Sequence, residues 1–256
     1  MRFRGVTALF ITAFLAACSS TTVQAPPGGG GGGGATGTPA TRGPQDPGVV
    51  GVTPPAGGDV NPNGVAYPTA NVGYQARKGN KAGNVIENYK FLGYPTTNGL
   101  TDVTQGLKPV SLADYYDPEA KNFKIIHIIV SGVWCTFCKA ETDALVPLIE
   151  GLKSKKVVFL TALSEDIYHK PASQGDLDFW VKTHKTNFTQ VLDPGNKQLG
   201  PFFDAAAIPW NANIDARTME LLSSGVGAPV NNAGEMDIEG EVQPWIDWVD
   251  HNEVVH

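Results

Sequence analysis

A run of β-branched residues leads directly into a pair of cysteines and then into a helical pattern. Lys124 to Val130 (KIIHIIV) has the composition of a strand buried on both faces. Cys135 and Cys138 follow it, and from about Phe137 to Leu152 apolar residues recur on one helical face. A second apolar run, Val157 to Ala162, predicts another buried strand. Strand, helix and strand in this order predict a βαβ unit, with the cysteines where a strand gives way to a helix.

Further elements are predicted towards the C-terminus, and together they indicate an α/β fold. Pro147 is expected to kink the first helix, and Pro244 is expected in the first turn of the last helix, where proline is tolerated. Short strands, including Tyr89 to Leu92, are expected before the βαβ unit. The other predicted elements are a helix at Gly175–His184, a strand at Thr189–Leu192, a turn at Pro194-Gly195, an antiparallel hairpin of Trp210–Asp215 and Thr218–Ser223, and a helix at about Val242–Asp250.

The region before this domain is rich in glycine and proline. Residues 26–64 contain fourteen Gly and eight Pro, with seven consecutive glycines. Such a segment cannot bury enough apolar surface to offset the entropy lost on ordering, so residues 18–65 are predicted to be a disordered tether. Residues 66–256, which carry every Trp and Tyr, are predicted to form one domain.

The N-terminus has the features of an export signal. Arg2 and Arg4 precede an uncharged run that ends at Ala17 and is too short to span a bilayer as a helix. Residues 1–17 are therefore predicted to be a signal peptide. The run that ends in Leu-Ala-Ala before Cys18 resembles the lipobox of bacterial lipoproteins, and this implies that Cys18 is acylated and becomes the mature N-terminus. The alternative is an ordinary signal peptide, whose removal would leave an unpaired thiol.

The lipobox resemblance also implies a location. Several acyl chains would anchor the protein to a membrane that it does not span. Ser19 and Ser20 follow the cysteine instead of the Asp that retains many lipoproteins at the inner membrane, so by analogy the outer membrane, facing the periplasm, is favoured. A net charge of −6 and a pI of about 5.3 give no basic patch for phosphate backbones, so nucleic acid is not predicted as a partner.

The two clustered cysteines have the spacing that disulfide exchange requires. At a helix N-terminus, unpaired N–H groups and the helix dipole favour negative charge, so the pKa of Cys135 is expected to be depressed and its thiolate reactive. Cys138 lies one helical turn later, near enough to close a disulfide and resolve a mixed one. The third cysteine is Cys18, so after acylation no other pair competes.

At this motif the chain resembles the thioredoxin-fold family, and within it the exported TlpA/ResA-like and redoxin-type (AhpC/TSA) thiol-disulfide oxidoreductases. The resemblance extends from about Val85 to the C-terminus. It is carried by the KIIHIIV strand, the Trp-Cys-x-x-Cys-Lys run, Glu141 and the Ile208-Pro209 pair. It implies a three-layer α/β/α fold with a central mixed sheet and an N-terminal extension of short strands.

The resemblance also implies roles for single residues. Cys135 and Cys138 would be catalytic, and Glu141 would assist proton movement. Pro209 would be cis and would pack against the disulfide. The residues implied to line the substrate groove are Trp134, Thr136, Phe137 and Ile208.

Four positions depart from the family pattern. Thr136-Phe137 stands where relatives usually carry a small residue or Pro, so redox strength cannot be transferred from them. Ile129 replaces the buried acid that thioredoxin has six residues before the first cysteine, which makes Glu141 the expected proton mediator. Ile208 replaces the more usual Thr or Val before the proline.

The same residues also allow interpretations in which they have only a structural role. The cysteine pair could be a permanent structural disulfide, Glu141 a solvated helix acid, and Pro209 an ordinary trans proline. Lys139 is interpreted as a solvated helix charge and His127 as a satisfied core residue.

The leading functional hypothesis is a membrane-tethered, monomeric thiol-disulfide oxidoreductase without cofactor or metal. Its expected partners are disulfide-bearing envelope proteins and a thiol electron donor. One alternative is a copper-binding protein that uses both cysteines and a histidine, because soft thiolates suit Cu(I). Another is a thiol peroxidase, although no Pro-x-x-x-Thr-x-x-Cys pattern surrounds Cys135.

Overall fold

A computed structural model of the protein describes residues 59–69, 81–96, 98–200 and 207–252. These residues form seven strands, four α-helices and several short 3₁₀ helices. The strands are β1 (Lys90–Tyr94), β2 (Lys108–Ser111), β3 (Ile125–Gly132), β4 (Val157–Glu165), β5 (Thr189–Leu192), β6 (Trp210–Asp215) and β7 (Glu220–Val226). The α-helices are α1 (Thr136–Leu145), α2 (Ile149–Ser154), α3 (Gln174–His184) and α4 (Ile238–His251).

All seven strands belong to one mixed sheet, in the order β2-β1-β5-β4-β3-β6-β7. β3, β4 and β5 run parallel, as the helical connections between them require. β6 pairs antiparallel with β3, β7 with β6, and β1 with both β2 and β5. The predicted mixed sheet, C-terminal hairpin and N-terminal strands are confirmed, and the architecture is the thioredoxin-like α/β fold that the resemblance implies.

The four helices pack against one face of the sheet. Alternate residues of β3, such as Ile125 and Ile129, point to this face and share a buried cluster with α1, α2 and α4. α3 lies on the same face, because its Leu177 and Trp180 share a second cluster with Leu163 of β4 and with Cys138. The connections β3-α1-α2-β4 and β4-α3-β5 run in the same direction across the sheet. If both are right-handed crossovers, their helices lie on the same face.

The opposite face of the sheet is covered by chain from before the βαβ unit. Its β3 residues, Ile126, Ile128 and Val130, pack against chain that precedes the βαβ unit, including Ile86 and the 3₁₀ helix Leu112–Tyr115. The residues before the βαβ unit cover this face because they carry Tyr, Ile and Leu side chains that are buried against it, at irregular spacing.

The two prolines inside helices behave differently. Pro147 lies in the 3₁₀ turn Val146–Leu148 that separates α1 from α2, so the predicted kink is confirmed. Pro244 lies inside α4 and not in its first turn. The prediction was wrong because Asp237, whose side chain accepts the Gly240 N–H, caps the helix several residues earlier than expected.

The folded chain begins before the predicted domain boundary at residue 66. Residues 59–65 fall in the predicted tether, yet Asn61 is buried and donates a hydrogen bond to the Tyr116 carbonyl at 3.0 Å. The predicted signal peptide, Cys18 and most of the tether lie outside the described residues. No helix in the described part of the chain is long and apolar enough to cross a membrane.

Candidate active site

Cys135 and Cys138 form a disulfide at the N-terminus of α1, directly after β3. Cys135 occupies the N-cap position, so its side chain faces the first unpaired N–H groups of the helix. Its Sγ accepts the backbone N–H of Cys138 at 3.1 Å. The same N–H and the helix dipole would stabilise a thiolate on Cys135 after reduction, as the sequence predicts.

Cys135 is enclosed by its neighbours. In the disulfide form Cys135 is only 3% exposed and Cys138 is fully buried. The Cys135 Sγ lies 3.7 Å from the Ile208 carbonyl oxygen, and the partly buried Trp134 and Ile208 pack against the same cluster. These neighbours shield the sulfur from solvent.

Ile208 and Pro209 lie beside the disulfide at the start of β6. Their peptide bond is cis, as the resemblance implies. The Pro209 carbonyl accepts the Gly227 N–H at 2.8 Å, which ties this segment to the end of β7. A Cβ built on Gly132 would lie 2.9 Å from Ile208 Cδ1, so glycine permits the close approach of Ile208 to β3.

Trp134 contacts two residues that lie more than thirty positions later in the chain. Its Nε1 donates a hydrogen bond to Glu165 Oε2 at 2.6 Å. Its ring lies 4.3 Å from the His169 ring, with 30° between the planes, and His169 Nδ1 is 3.6 Å from the same Glu165 oxygen. Glu165 ends β4 and His169 lies in the next loop, so the carboxyl ends of two parallel strands bring these side chains together.

Glu141 is buried beneath the cysteines. It lies three residues after Cys138 on the same face of α1 and is fully buried, so its interpretation as a solvated acid is wrong. Among the described residues, no donor lies within ordinary hydrogen-bond geometry of either carboxyl oxygen. Burial raises the pKa of Glu141 to about 8, the nearby Asn211 amide lowers it in part, and the charge of Glu241 raises it further. A carboxyl group with this pKa can hold or release a proton near neutral pH.

The two residues between the cysteines face outwards. Thr136 is exposed, and the Phe137 side chain is 67% exposed. Ile167 and Tyr168 are also exposed, in the loop whose His169 stacks on Trp134. The surface around the disulfide therefore offers apolar side chains to a partner.

The structure brings the sequence-predicted site residues together around one disulfide. These residues are Trp134, Cys135, Thr136, Phe137, Cys138, Glu141, Ile208 and Pro209. Glu165, His169 and Asn211 were missed because they lie on β4, its following loop and β6, far from the motif in sequence. His127 is a satisfied core residue, as predicted, with both ring nitrogens hydrogen-bonded. The described residues contain no group of three or more side chains that could hold a metal ion.

No family model and no curated protein matches the chain. Several solved structures are similar to it. A 2-Cys peroxiredoxin of Plasmodium vivax is 16% identical and covers 66% of this chain and 82% of its own, with a TM-score of 0.48. A secreted thiol-disulfide isomerase of Corynebacterium glutamicum is 16% identical over 62% and 86%, with a TM-score of 0.45. The thioredoxin domain of a Bacteroides vulgatus thiol-disulfide oxidoreductase is 15% identical over 58% and 90%, with a TM-score of 0.41.

Proposed function

We propose that the protein is a thiol-disulfide oxidoreductase that exchanges disulfides with other proteins through Cys135 and Cys138. The observation that carries the proposal is the disulfide at the N-cap of α1, with the Cys135 sulfur accepting the Cys138 N–H at 3.1 Å. This arrangement gives the two sulfurs different roles, since the helix N-terminus stabilises negative charge on Cys135 alone.

In the reducing direction, the Cys135 thiolate attacks one sulfur of a client disulfide and releases the other as a thiolate. Cys138 loses its proton and attacks Cys135 Sγ in the mixed disulfide. The client leaves with two thiols, and the Cys135–Cys138 disulfide forms again. The two electrons gained by the client come from the two thiols of the enzyme, and a thiol donor restores them.

Glu141 supports the resolving step. Cys138 is fully buried and cannot give its proton directly to water. Glu141 lies one turn away on the same helix face, and its pKa of about 8 allows it to accept that proton near neutral pH. The carboxyl group therefore acts as the proton acceptor for Cys138.

A protein client would contact the apolar surface around the disulfide. Phe137 is 67% exposed and Tyr168 is 76% exposed. Large aromatic side chains in such positions are typical of contact sites for other proteins. Because Trp134 and Ile208 shield Cys135 in the disulfide form, a client must displace part of these side chains to reach the sulfur. The binding energy from contacts with Phe137 and Tyr168 can offset the energy that this displacement requires.

Trapping of mixed disulfides tests the proposed function. Cys138→Ser leaves Cys135 able to attack but removes the resolving thiol, so disulfide-linked complexes should accumulate and disappear on reduction. Cys135→Ser is the matched control, because it leaves Cys138 buried at the same helix end and should trap no client. Equal trapping by the two variants, or none by either, would contradict the assigned roles.

We propose in addition that acylated Cys18 anchors the enzyme to the cell envelope and that the clients are envelope proteins. The support is the uncharged run before Cys18 and the glycine-rich segment after it, which would hold the domain at a distance from the membrane. Metabolic labelling with a fatty acid should mark the wild-type chain and not Cys18→Ala. If both fractionate as soluble and unlabelled proteins, the anchor is refuted.

A further inference from the structure

The loop after β4, residues Asp166–Lys170, is held together by four hydrogen bonds to Asp166. The Asp166 N–H donates to the Lys170 carbonyl at 2.8 Å, and the Asp166 carbonyl accepts the His169 N–H at 3.4 Å. The side-chain Oδ1 of Asp166 accepts the N–H of Tyr168 at 2.7 Å and that of Lys170 at 2.8 Å. We call these five residues the Asp166 loop. Its hydrogen bonds make it a single structural unit.

The same four hydrogen bonds occur in two other loops, Asn61–Val65 and Asn231–Glu235. In all three loops the fourth residue has a positive φ, which is 79° at Gly64, 60° at His169 and 80° at Gly234. A Cβ on either glycine would meet no atom within 4 Å, so glycine suits these positions through its backbone and not through a lack of space. His169 adopts this left-handed conformation at a cost in free energy that glycine does not have.

The side chain of His169 covers the indole of Trp134. The two ring centroids lie 4.3 Å apart, and the ring planes are inclined by 30°. Glu165 Oε2 accepts the Trp134 Nε1–H at 2.6 Å, and the indole packs against the cluster that contains Cys135. Trp134 is therefore held at its N–H edge by Glu165 and on one face by His169, next to the sulfur that a client must reach.

The Asp166 loop also presents apolar side chains to solvent. Ile167 is 49% exposed and Tyr168 is 76% exposed. Both lie between Asp166 and His169, so a partner that binds them displaces the unit that carries the imidazole. We propose that His169 is a positioning residue that restrains Trp134 beside Cys135, and that a protein client releases this restraint when it binds Ile167 and Tyr168. The role of the client rests on the proposed function, whereas the restraint on Trp134 does not.

Such a restraint would make the disulfide selective for protein clients. A small thiol such as glutathione offers little surface to Ile167 and Tyr168, so it reacts only when Trp134 moves away unaided. A protein that binds these side chains more tightly in the open arrangement shifts the equilibrium towards that arrangement. His169 is therefore expected to slow the reaction with small thiols more than the reaction with proteins.

Hydrogen exchange of the Trp134 indole N–H, followed by NMR, tests the restraint in the oxidised protein. His169→Gly removes the imidazole and relieves the left-handed backbone, so this N–H should exchange with D₂O several-fold faster than in wild type. Lys185→Gly is the matched control, because Lys185 is also exposed and left-handed, with φ of 50°, but lies at the C-cap of α3. It should leave the exchange rate unchanged. Equal rates in His169→Gly and wild type, or equal acceleration by both variants, would overturn the proposal.

Two further substitutions separate the ring of His169 from its backbone. Asn adopts the left-handed conformation readily but has no ring, so His169→Asn should expose the Trp134 N–H as His169→Gly does. His169→Phe restores a ring and should return the exchange rate towards that of wild type. Protection by Asn and loss of protection in Phe would assign the effect to the backbone and would refute the ring contact.

The selectivity is measured by opening the disulfide with glutathione or with reduced, unfolded ribonuclease A. In either reaction a thiolate attacks Cys135 Sγ and Cys138 leaves as a thiolate. A second thiol of the reductant then attacks the mixed disulfide and releases Cys135, so the reductant is oxidised to a disulfide. His169→Gly should raise the glutathione rate several-fold and the ribonuclease rate by a smaller factor. Lys185→Gly should change neither rate. Acceleration of both reactions by the same factor in His169→Gly would refute the selectivity.

Failure of this inference can be distinguished from failure of the proposed function. If His169→Gly accelerates exchange of the Trp134 N–H but Cys138→Ser traps no client, the restraint stands and the proposed function fails. If Cys138→Ser traps clients but His169→Gly changes neither the N–H exchange nor the glutathione rate, the proposed function stands and the role of His169 is refuted.

Discussion

The buried carboxyl group of Glu141 predicts an unusual dependence of stability on pH. Its pKa in the folded protein is about 8, against about 4.5 in an unfolded chain. Between these values the folded state holds a proton that the unfolded state has released, so the free energy of unfolding falls as pH rises. Below about pH 4.5 both states are protonated, and above about pH 8 both are ionised, so the loss is confined to this window.

The size of the effect follows from the shift in pKa. Each pH unit inside the window costs about 1.4 kcal/mol, and the rounding at its two ends leaves about 3 to 4 kcal/mol between pH 5 and pH 8. Glu141→Gln removes the titration, so the variant should lose less stability over this range by that amount. Other groups titrate equally in both proteins and cancel in the difference.

Urea unfolding of the oxidised domain at pH 5, 6, 7 and 8 measures this difference. The gap between wild type and Glu141→Gln should widen steadily in favour of the variant as pH rises. Glu150→Gln, which changes an exposed acid of α2, is the control and should follow the wild-type curve. Parallel curves for wild type and Glu141→Gln would refute the raised pKa and, with it, the proton-acceptor role.

Three further variants test separate features of the site and its supports. Ser173→Ala removes the side chain that caps α3 in a capping box with Asp176, and should cost about 1 kcal/mol in urea unfolding, whereas a cost near zero would mean that the cap is dispensable. Gly132→Ala places a methyl group 2.9 Å from Ile208 Cδ1 and should lower the free energy of unfolding by about 1 to 3 kcal/mol and change the Trp fluorescence. If neither changes, the Ile208 side chain moves aside without cost. Phe137→Ala should leave stability within about 0.5 kcal/mol and slow exchange with a disulfide-bearing protein more than exchange with oxidised glutathione; equal slowing would place Phe137 in the chemistry and not in docking.

Periodic apolar patterns predicted the central elements well. The span of β6 agrees with the prediction residue for residue, and the break at Pro147 lies where expected, because these features depend on local pattern and on the geometry of proline. The start of α4 could not be predicted in this way. Asp237 stands in a polar segment, and only the observed contact with the Gly240 N–H shows that it is the cap.

The site was predicted only as far as its residues lie near the cysteine motif. Burial of Glu141 depends on the packing of α1 against β3 and α4, which the helical pattern alone does not specify. The Trp134–Glu165 hydrogen bond depends on strand register, and that register is set by the whole βαβ unit. His127 reads as a core residue in sequence because its two asparagine partners lie more than eighty positions away.

The pairing of β1 with β5 constrains the order in which the molecule can be assembled. Leu92 and Leu192 are neighbours in the sheet although one hundred positions separate them in the chain. Contacts of such high sequence separation form slowly, since a long loop must close before they contribute. Until residue 192 has emerged from the ribosome, the paired strands β1 and β2 have no strand beside them and the apolar edge of β1 is open. A nascent chain stopped before β5 would therefore be prone to edge-to-edge aggregation. A chaperone that binds unfolded chains would be expected to recognise this intermediate.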